Sequence, residues 1–246
     1  LSNNTIDSSN DIDIAAGSAK DSTNSADLNL SSALGKQIDV AWAEGGTPGA
    51  PSGGFPSLLT GGSPVNDTWY AVFIILKNTG QVDAGFDTSL NAVNLLADAT
   101  DYAEFRQIGW IYYNSGSSIE PFLQVNDKFT FATPLSGWFG VPNSATASIQ
   151  NVNAPPQKVT VGIHTVGNYD QLSGVRALVT DPDQADIAPD TLNSQINCES
   201  DVAGVTSVEK NFFEVVTNSS GELRLRSTSA GGDTSASIRY IIYNRG

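Results

Sequence analysis

The chain contains no methionine, one cysteine and one histidine among its 246 residues. Each scarcity closes off a class of chemistry. With Cys198 alone no intrachain disulfide can form, and one Cys with one His cannot build the ligand set that zinc requires. A leftover cysteine does leave an intermolecular bridge through Cys198 open. Lys and Arg total 12 against 26 Asp and Glu, a formal net charge of −14. Phosphate backbones are bound by clustered cations, and none cluster here, so neither nucleic acid nor an anionic membrane is an expected partner. No apolar run approaches the roughly 18 residues of a membrane-spanning helix. The longest, residues 69–76, has the length of a strand, so no membrane insertion is expected. No basic and apolar prefix marks a signal peptide. The chain opens at Leu1 without Met, from which we expect an upstream segment.

What is present is β texture throughout. Residues 10–16 alternate, with Ile12 and Ile14 on one face and Asp11 and Asp13 on the other. Ile38, Val40 and Trp42 recur with period two. Gly, Pro and Ser crowd residues 45–62, which predicts a long exposed loop. Residues 68–78 are apolar on both faces and predict a central strand. Aromatic residues 105–113, the turn cluster Asn114-Ser115-Gly116-Ser117, residues 119–123 and residues 128–132 predict an antiparallel meander. Pro121 must then sit at an edge or bulge, since it cannot donate to a ladder. Residues 157–166 place Val159, Val161 and Ile163 on one face. A Gly167-Asn168-Tyr169-Asp170 turn leads to a strand over 175–180. Residues 211–217 and 222–227 flank Asn218-Ser219-Ser220-Gly221, the best hairpin signal in the chain. Residues 236–243 read as a closing strand. The one helical candidate is 90–97, with Leu90, Val93 and Ala97 on a shared face, although helices this short are marginal alone.

Roughly ten short strands with Gly-rich turns predict an all-β fold, an antiparallel β-sandwich or jelly roll. The diproline Pro155-Pro156 predicts two packed sub-domains, residues 1–152 and 153–246; a single interleaved domain fits the pattern equally.

Catalytic signals are weak. His164 falls on the face opposite Val159, Val161 and Ile163 and is expected to meet solvent. A nucleophile triad would need it beside a Ser and a carboxylate, and no Gly-x-Ser-x-Gly elbow exists. Glu104, Glu120, Asp98, Asp101 and Asp127 offer the carboxylate pair of a glycosidase, but among 26 acids solvated surface positions are the plainer account. Asp181, Asp183 and Asp186 invite a calcium reading. An EF-hand would need an oxygen ligand where Ala185 stands and a Gly where Asp186 stands, so turns around Pro182 compete with a looser metal site. The pairs Gly45-Gly46, Gly53-Gly54 and Gly61-Gly62 lack the Gly-Lys-Ser/Thr of a phosphate cradle, and no cofactor is expected. Trp42, Trp69, Trp110, Tyr112 and Tyr113 could form a sugar-stacking platform. Trp69 reads as core, and one of Tyr112 and Tyr113 is expected to be exposed beside the turn.

Several ordered pieces carry a resemblance: Leu1-Ser2-Asn3-Asn4, residues 10–17, residues 36–43, Asp67-Thr68-Trp69-Tyr70, Ile108-Gly109-Trp110-Ile111 and residues 119–124, then residues 183–189, 216–224 and 238–245. Together they resemble a family of tailed-bacteriophage virion proteins labelled tail-fibre or tail proteins. The chain departs from that pattern at Phe105-Arg106-Gln107, where a basic pair is usual, and at 90–101, where a Pro-rich loop is replaced by a Leu-rich segment. The resemblance implies a virion structural protein on the particle surface, in the tail-fibre apparatus or as a capsid decoration or head fibre. It supplies no catalytic residues. Expected partners are other virion proteins, further copies in a homotrimer and a host-surface glycan. A secreted glycan-binding or glycan-hydrolysing β-module is the alternative from a different class.

Overall fold

The computed structural model describes residues 1–169, 175–198, 207–228 and 232–243. Strands dominate, and the chain forms two compact units, Leu1–Gln124 and Val125–Gly246. The all-β expectation holds.

The first unit contains β1 (Ser2–Asn3), β2 (Asp11–Ile14), β3 (Gly17–Lys20), β4 (Asp27–Leu30), β5 (Leu34–Ala41), β6 (Ser52–Phe55), β7 (Thr68–Lys77), β8 (Val82–Asp87), a short helix α1 (Val93–Asp98), β9 (Tyr102–Tyr113) and β10 (Phe122–Val125). One sheet runs β10-β1-β2-β5-β6 and a second runs β8-β7-β9, with β3 and β4 as a small hairpin. Ile12, Ile38 and Phe55 from the first sheet share a core with Tyr70, Val72, Ile74 and Phe86 from the second. The opposite face of β7 is buried as well, through Trp69, Ala71, Phe73 and Ile75. A strand buried on both faces reads as a continuous apolar run, and β7 lies at the centre of its sheet as expected.

The second unit contains β11 (Lys128–Ser136), β12 (Val141–Pro142), β13 (Ser148–Asn151), β14 (Thr160–Tyr169), β15 (Val175–Thr180), β16 (Ile196–Cys198), β17 (Ser207–Val216), β18 (Glu222–Ser227) and β19 (Asp233–Ile242). Its sheets are β17-β14-β19-β11, with β12 also on β19, and β13-β18-β15-β16. Val161 and Ile163 on β14 lie across from Ile241 and Ile238 on β19, all buried. Leu223 and Leu225 on β18 and Ala177 and Val179 on β15 form the buried face of the other sheet.

Several expectations are corrected. Residues 45–62 are not all loop: β6 lies there and pairs parallel with β5. Glycine makes this possible, because a Cβ on Gly53 would lie 1.9 Å from the Ala41 carbonyl oxygen and one on Gly54 would meet the Phe86 ring at 2.8 Å. The helix turns a different face inward. Val93 is 61% exposed and Leu90 is exposed too, whereas Ala92, Leu95 and Ala99 are buried. Asp87 sets that rotation by accepting the Asn94 and Leu95 amides at 2.8 and 2.9 Å. Val40 is exposed, so the period-two pattern of β5 ends at Ile38.

The strongest hairpin signal is not a hairpin. β17 pairs with β14, and β18 pairs with β13 and β15 in the other sheet. The Asn218 side chain accepts the Ser220 and Glu222 amides at 3.0 and 2.9 Å, closing a tight turn that carries the chain from one sheet to the other. Gly167-Asn168-Tyr169 continue β14 rather than turning, and Asp170 lies outside the described residues. The units meet between Gln124 and Val125, upstream of the 152/153 division expected from the diproline. Val152 and Ala154 beside that diproline are buried, and the Val152 amide donates to the Gly221 carbonyl, so the segment is packed rather than linking. Pro121 stands just ahead of β10, free of any ladder.

Candidate functional site

The aromatic platform read from the sequence is core. Trp69, Trp110, Tyr112 and Tyr113 are all buried, so the expectation that one of the two tyrosines meets solvent fails. Trp69 packs edge-on to Trp110 with centroids 6.5 Å apart and lies 5.1 Å from Tyr112. The cause is the doubly buried β7: on β9 its cross-strand partner Tyr112 must point the same way as Trp69. Trp42 is half-buried, and its indole N–H donates to the Ala84 carbonyl at 3.1 Å.

Of the five carboxylates, Asp98 and Asp101 line one small notch together with Glu44, and each has a partner of its own. Asp98 accepts from the Ser57 amide and hydroxyl, Glu120 accepts from Asn114 at 2.9 Å, and Asp101 stands 3.4 Å from Lys77, which also reaches Glu44 at 3.3 Å. The notch beside Glu44, Lys77 and Asp101 holds about 80 Å³, and an open hollow of about 340 Å³ lies alongside it at Lys77, Asn78, Thr79, Thr100 and Asp101, without an aromatic side chain in its lining. Glu104 is half-buried on β9, and the Asp127 carbonyl accepts the Tyr243 amide.

The Asp181–Asp186 segment is a turn held by cations of the protein itself. The Asp181 carboxylate accepts the Asp183 amide at 2.9 Å, the expected turn around Pro182. Lys158 lies 2.8 Å from Asp181 and 3.1 Å from Asp183, and Arg226 lies 3.0 Å from Asp186. Arg224 donates to the Pro182 and Gln184 carbonyls. Among the described residues no group of three or more His, Cys, Asp or Glu is placed to hold a metal ion. The Cys198 backbone belongs to β16, but its side chain lies outside the described residues, and so does any bridge through it.

An ion pair unmarked by any motif stands at the heart of the first unit. Lys36 and Asp83 have side chains 0% and 1% exposed, 2.8 Å apart. The Lys36 ammonium also donates to the Ala43 carbonyl at 2.8 Å and the Ser52 hydroxyl at 2.9 Å, so its three hydrogens have three acceptors. Asp83 accepts the Gly45 and Ala84 amides at 2.6 Å each. Burial pushes the Lys36 ammonium below its ordinary pKa while Asp83 beside it opposes the shift. This saturation marks a structural clamp between β5, β8 and the 43–52 segment.

An open surface that combines aromatic, hydroxyl and imidazole side chains lies on the second unit. A shallow cavity of about 330 Å³ opens on the outer face of the β17-β14-β19-β11 sheet. His164 on β14 stands opposite Ser237 on β19 and Phe212 on β17, and Ser237 stands opposite Ser136 on β11. One row, Ser136–Ser237–His164–Phe212, therefore crosses four strands on one face. His164 is exposed, as its alternation with Val161 and Ile163 requires, and its ring lies 4.8 Å from that of Phe212.

Trp138 and Phe139 form the wall. They follow β11, and the backbone fixes them against β19: the Gly137 amide donates to the Ala236 carbonyl at 3.0 Å and the Ala236 amide to the Trp138 carbonyl at 2.8 Å. The Gly140 amide donates to the Ser235 hydroxyl at 3.0 Å, with Gly140 at a positive φ of 59° that favours glycine. Trp138 is buried, 5% exposed, and its indole N–H has no acceptor among the described residues. Phe139 is 90% exposed. Beside the cavity, Tyr240 covers Gly162, where a Cβ would lie 2.3 Å from the ring. Tyr240 donates to Glu214 and receives the Lys128 ammonium 3.4 Å from its ring centroid. Burial first, then Glu214, pushes its phenol up to about 12.

Sequence reasoning missed Trp138 and Phe139 because residues 132–140 show no alternation; an adjacent aromatic pair next to Gly140 was the available signal. No helix among the described residues is long and apolar enough to cross a membrane. Neither a scan against protein-family models nor a search of curated proteins returned a match.

Proposed function

We propose that this chain is a structural and adhesive component of a tailed-phage virion, acting in the tail-fibre apparatus at the particle surface by association rather than catalysis. The ordered sequence resemblance supports the virion assignment. The observation that carries the adhesive part is the outer surface of the second unit, where Phe139 stands exposed at an open cavity and Phe212 and Val208 are exposed on β17. Large apolar side chains gathered on one face are a feature of interaction surfaces rather than of inert ones. Acidity keeps such a surface soluble and self-repelling. Homotrimeric association is part of the proposal, since β-rich subunits without disulfides gain stability by symmetric assembly. Capsid decoration or a head fibre is the same reading at another place on the particle.

Mass spectrometry of purified particles, with labelled-antibody microscopy, tests the assignment. We expect the chain in intact particles at the tail tip, and a trimer mass for the isolated protein in light scattering. A protein absent from particles, or a monomer that turns over a saccharide, overturns it.

A further inference from the structure

We infer that the cavity walled by Trp138 and Phe139 binds a neutral saccharide ring, stacked on Phe139 and hydrogen-bonded by Ser136, Ser235, Ser237 and His164. This deepens the adhesive reading and rests on it only for where the saccharide comes from.

A pyranose presents a patch of C–H bonds on its faces and hydroxyls around its rim. It is bound where an accessible aromatic face meets several neutral donors and acceptors. Phe139, 90% exposed, supplies an accessible aromatic face. The three serines and the imidazole supply hydroxyl and nitrogen partners around one opening. They are preset by the ladder: Ser136, Ser237 and His164 occupy one row of paired positions, and Ser235 is fixed by the Gly140 amide. A site built on strands holds its geometry without ordering a loop, which reduces the entropic cost of binding. The volume of about 330 Å³ lies at the low end of the ~300–1,000 Å³ span of small-ligand sites and suits one or two sugar rings.

The same lining argues against other ligands. It contains neither Lys nor Arg, so a phosphate or a sulfated or uronic sugar would meet no fixed counter-charge. The chain's net charge of −14 repels such anions further. A peptide added as a strand needs a free sheet edge, whereas this opening lies on a sheet face.

The test is a two-dimensional amide NMR titration of the full chain with D-glucose, D-galactose, D-mannose, L-rhamnose and N-acetylglucosamine at millimolar levels, repeated on an array of immobilised neutral bacterial polysaccharides. We expect saturable shifts of the Ser136, Ser235 and Ser237 amides and of the Trp138 indole. Phe139→Ala should weaken binding by about tenfold or more, as loss of a stacking face worth about 1.4 kcal/mol would. His164→Ala should weaken it less, and Leu58→Ala, at a residue 75% exposed on the first unit, should leave it unchanged. Because Phe139 is solvent-exposed, loss of binding in its variant cannot be put down to unfolding; an unchanged amide spectrum elsewhere checks this. No binding on either platform, or binding indifferent to Phe139→Ala, overturns the site. The virion assignment fails separately: a particle-borne chain without sugar binding sinks only the site, and a sugar-binding chain absent from particles sinks only the assignment.

Discussion

The two units put their aromatic residues to opposite use. In the first, Trp69, Trp110, Tyr112 and Phe73 surround a strand buried on both faces and are themselves buried. In the second, Phe212 stands in solvent on a sheet whose other face holds the core, and Phe139 stands in solvent in the segment that follows β11, with His164 between strands that also bear serine hydroxyls. Aromatic density along the sequence is highest in the first unit, yet the opening walled by an exposed aromatic ring lies in the second. For a ring carried by a strand, as Trp69 and Phe212 are, what decides the matter is whether that strand has one dry face or two.

That contrast can be broken by mutation, and the largest effects should fall in the first unit. Removing one partner of the clamp, as in Asp83→Ala, leaves the Lys36 ammonium buried without its counter-charge and should cost about 3–5 kcal/mol in urea unfolding. Replacing both, Lys36→Met with Asp83→Leu, should recover most of the loss, because a buried pair is often replaceable by packed apolar groups. If Asp83→Ala unfolds with the wild-type midpoint, the clamp does not stabilise the fold. Phe73→Ala, in the same unit, should cost about 3–5 kcal/mol through the cavity it leaves.

Gly162→Ala sharpens the comparison from the second unit. A methyl group there would meet the Tyr240 ring, so the phenol must move away from Glu214 and from the Lys128 ammonium. We expect a loss of about 1–3 kcal/mol, as for other overpacked positions, and a fall in the tyrosine pKa toward its ordinary value in an ultraviolet titration. An unaltered titration would mean that the ring does not depend on that glycine.

The smallest expected effect is on pH. Burial raises the Asp11 carboxyl to about 6, with Asp7, Asp39 and Asp13 adding to the shift and a hydrogen bond from Gln37 opposing it. A folded pKa above the unfolded one means that the native state holds more protons between the ordinary value of 3.8 and about 6. This contribution to stability is therefore complete below 3.8 and disappears as pH rises through about 6. Asp21 acts the other way. Hydrogen bonds from Thr23, Ala26 and Ser25 hold its carboxyl well below the usual range, so its contribution is present above the ordinary value and is lost as pH falls. Asp11→Asn should flatten the decline in melting temperature between pH 4 and pH 6. An unchanged slope in that variant would remove Asp11 as its source.

Much of the framework was legible in the residues themselves. β7 declared itself by eight consecutive apolar positions and β14 by the alternation of Val159, Val161 and Ile163, which also placed His164 outward. Burial on one face or two leaves a local periodic trace, and such traces survive in sequence. What was lost depends on tertiary partners. β6 looked like loop because its glycines have no side chain to alternate, although the approach of Ala41 and Phe86 is what requires them. The Asn218–Gly221 turn was read correctly as a turn and wrongly as a hairpin, since the same four residues serve within a sheet or between two. Lys36 and Asp83 sit on different strands with nothing local to connect them. The cavity shares that character. Ser136, His164 and Ser237 come from three strands, and only the ladder register puts them in one row.

The most direct test of the contrast is to measure Phe139→Ala twice, for thermal stability and for saccharide binding in the amide titration. The account predicts a melting temperature within a degree or so of wild type, as expected for a solvent-exposed position, together with binding lost or weakened about tenfold. A variant that melts well below wild type while binding as the wild type does would contradict it, and would return Phe139 to the role that Trp69 and Trp110 play in the first unit.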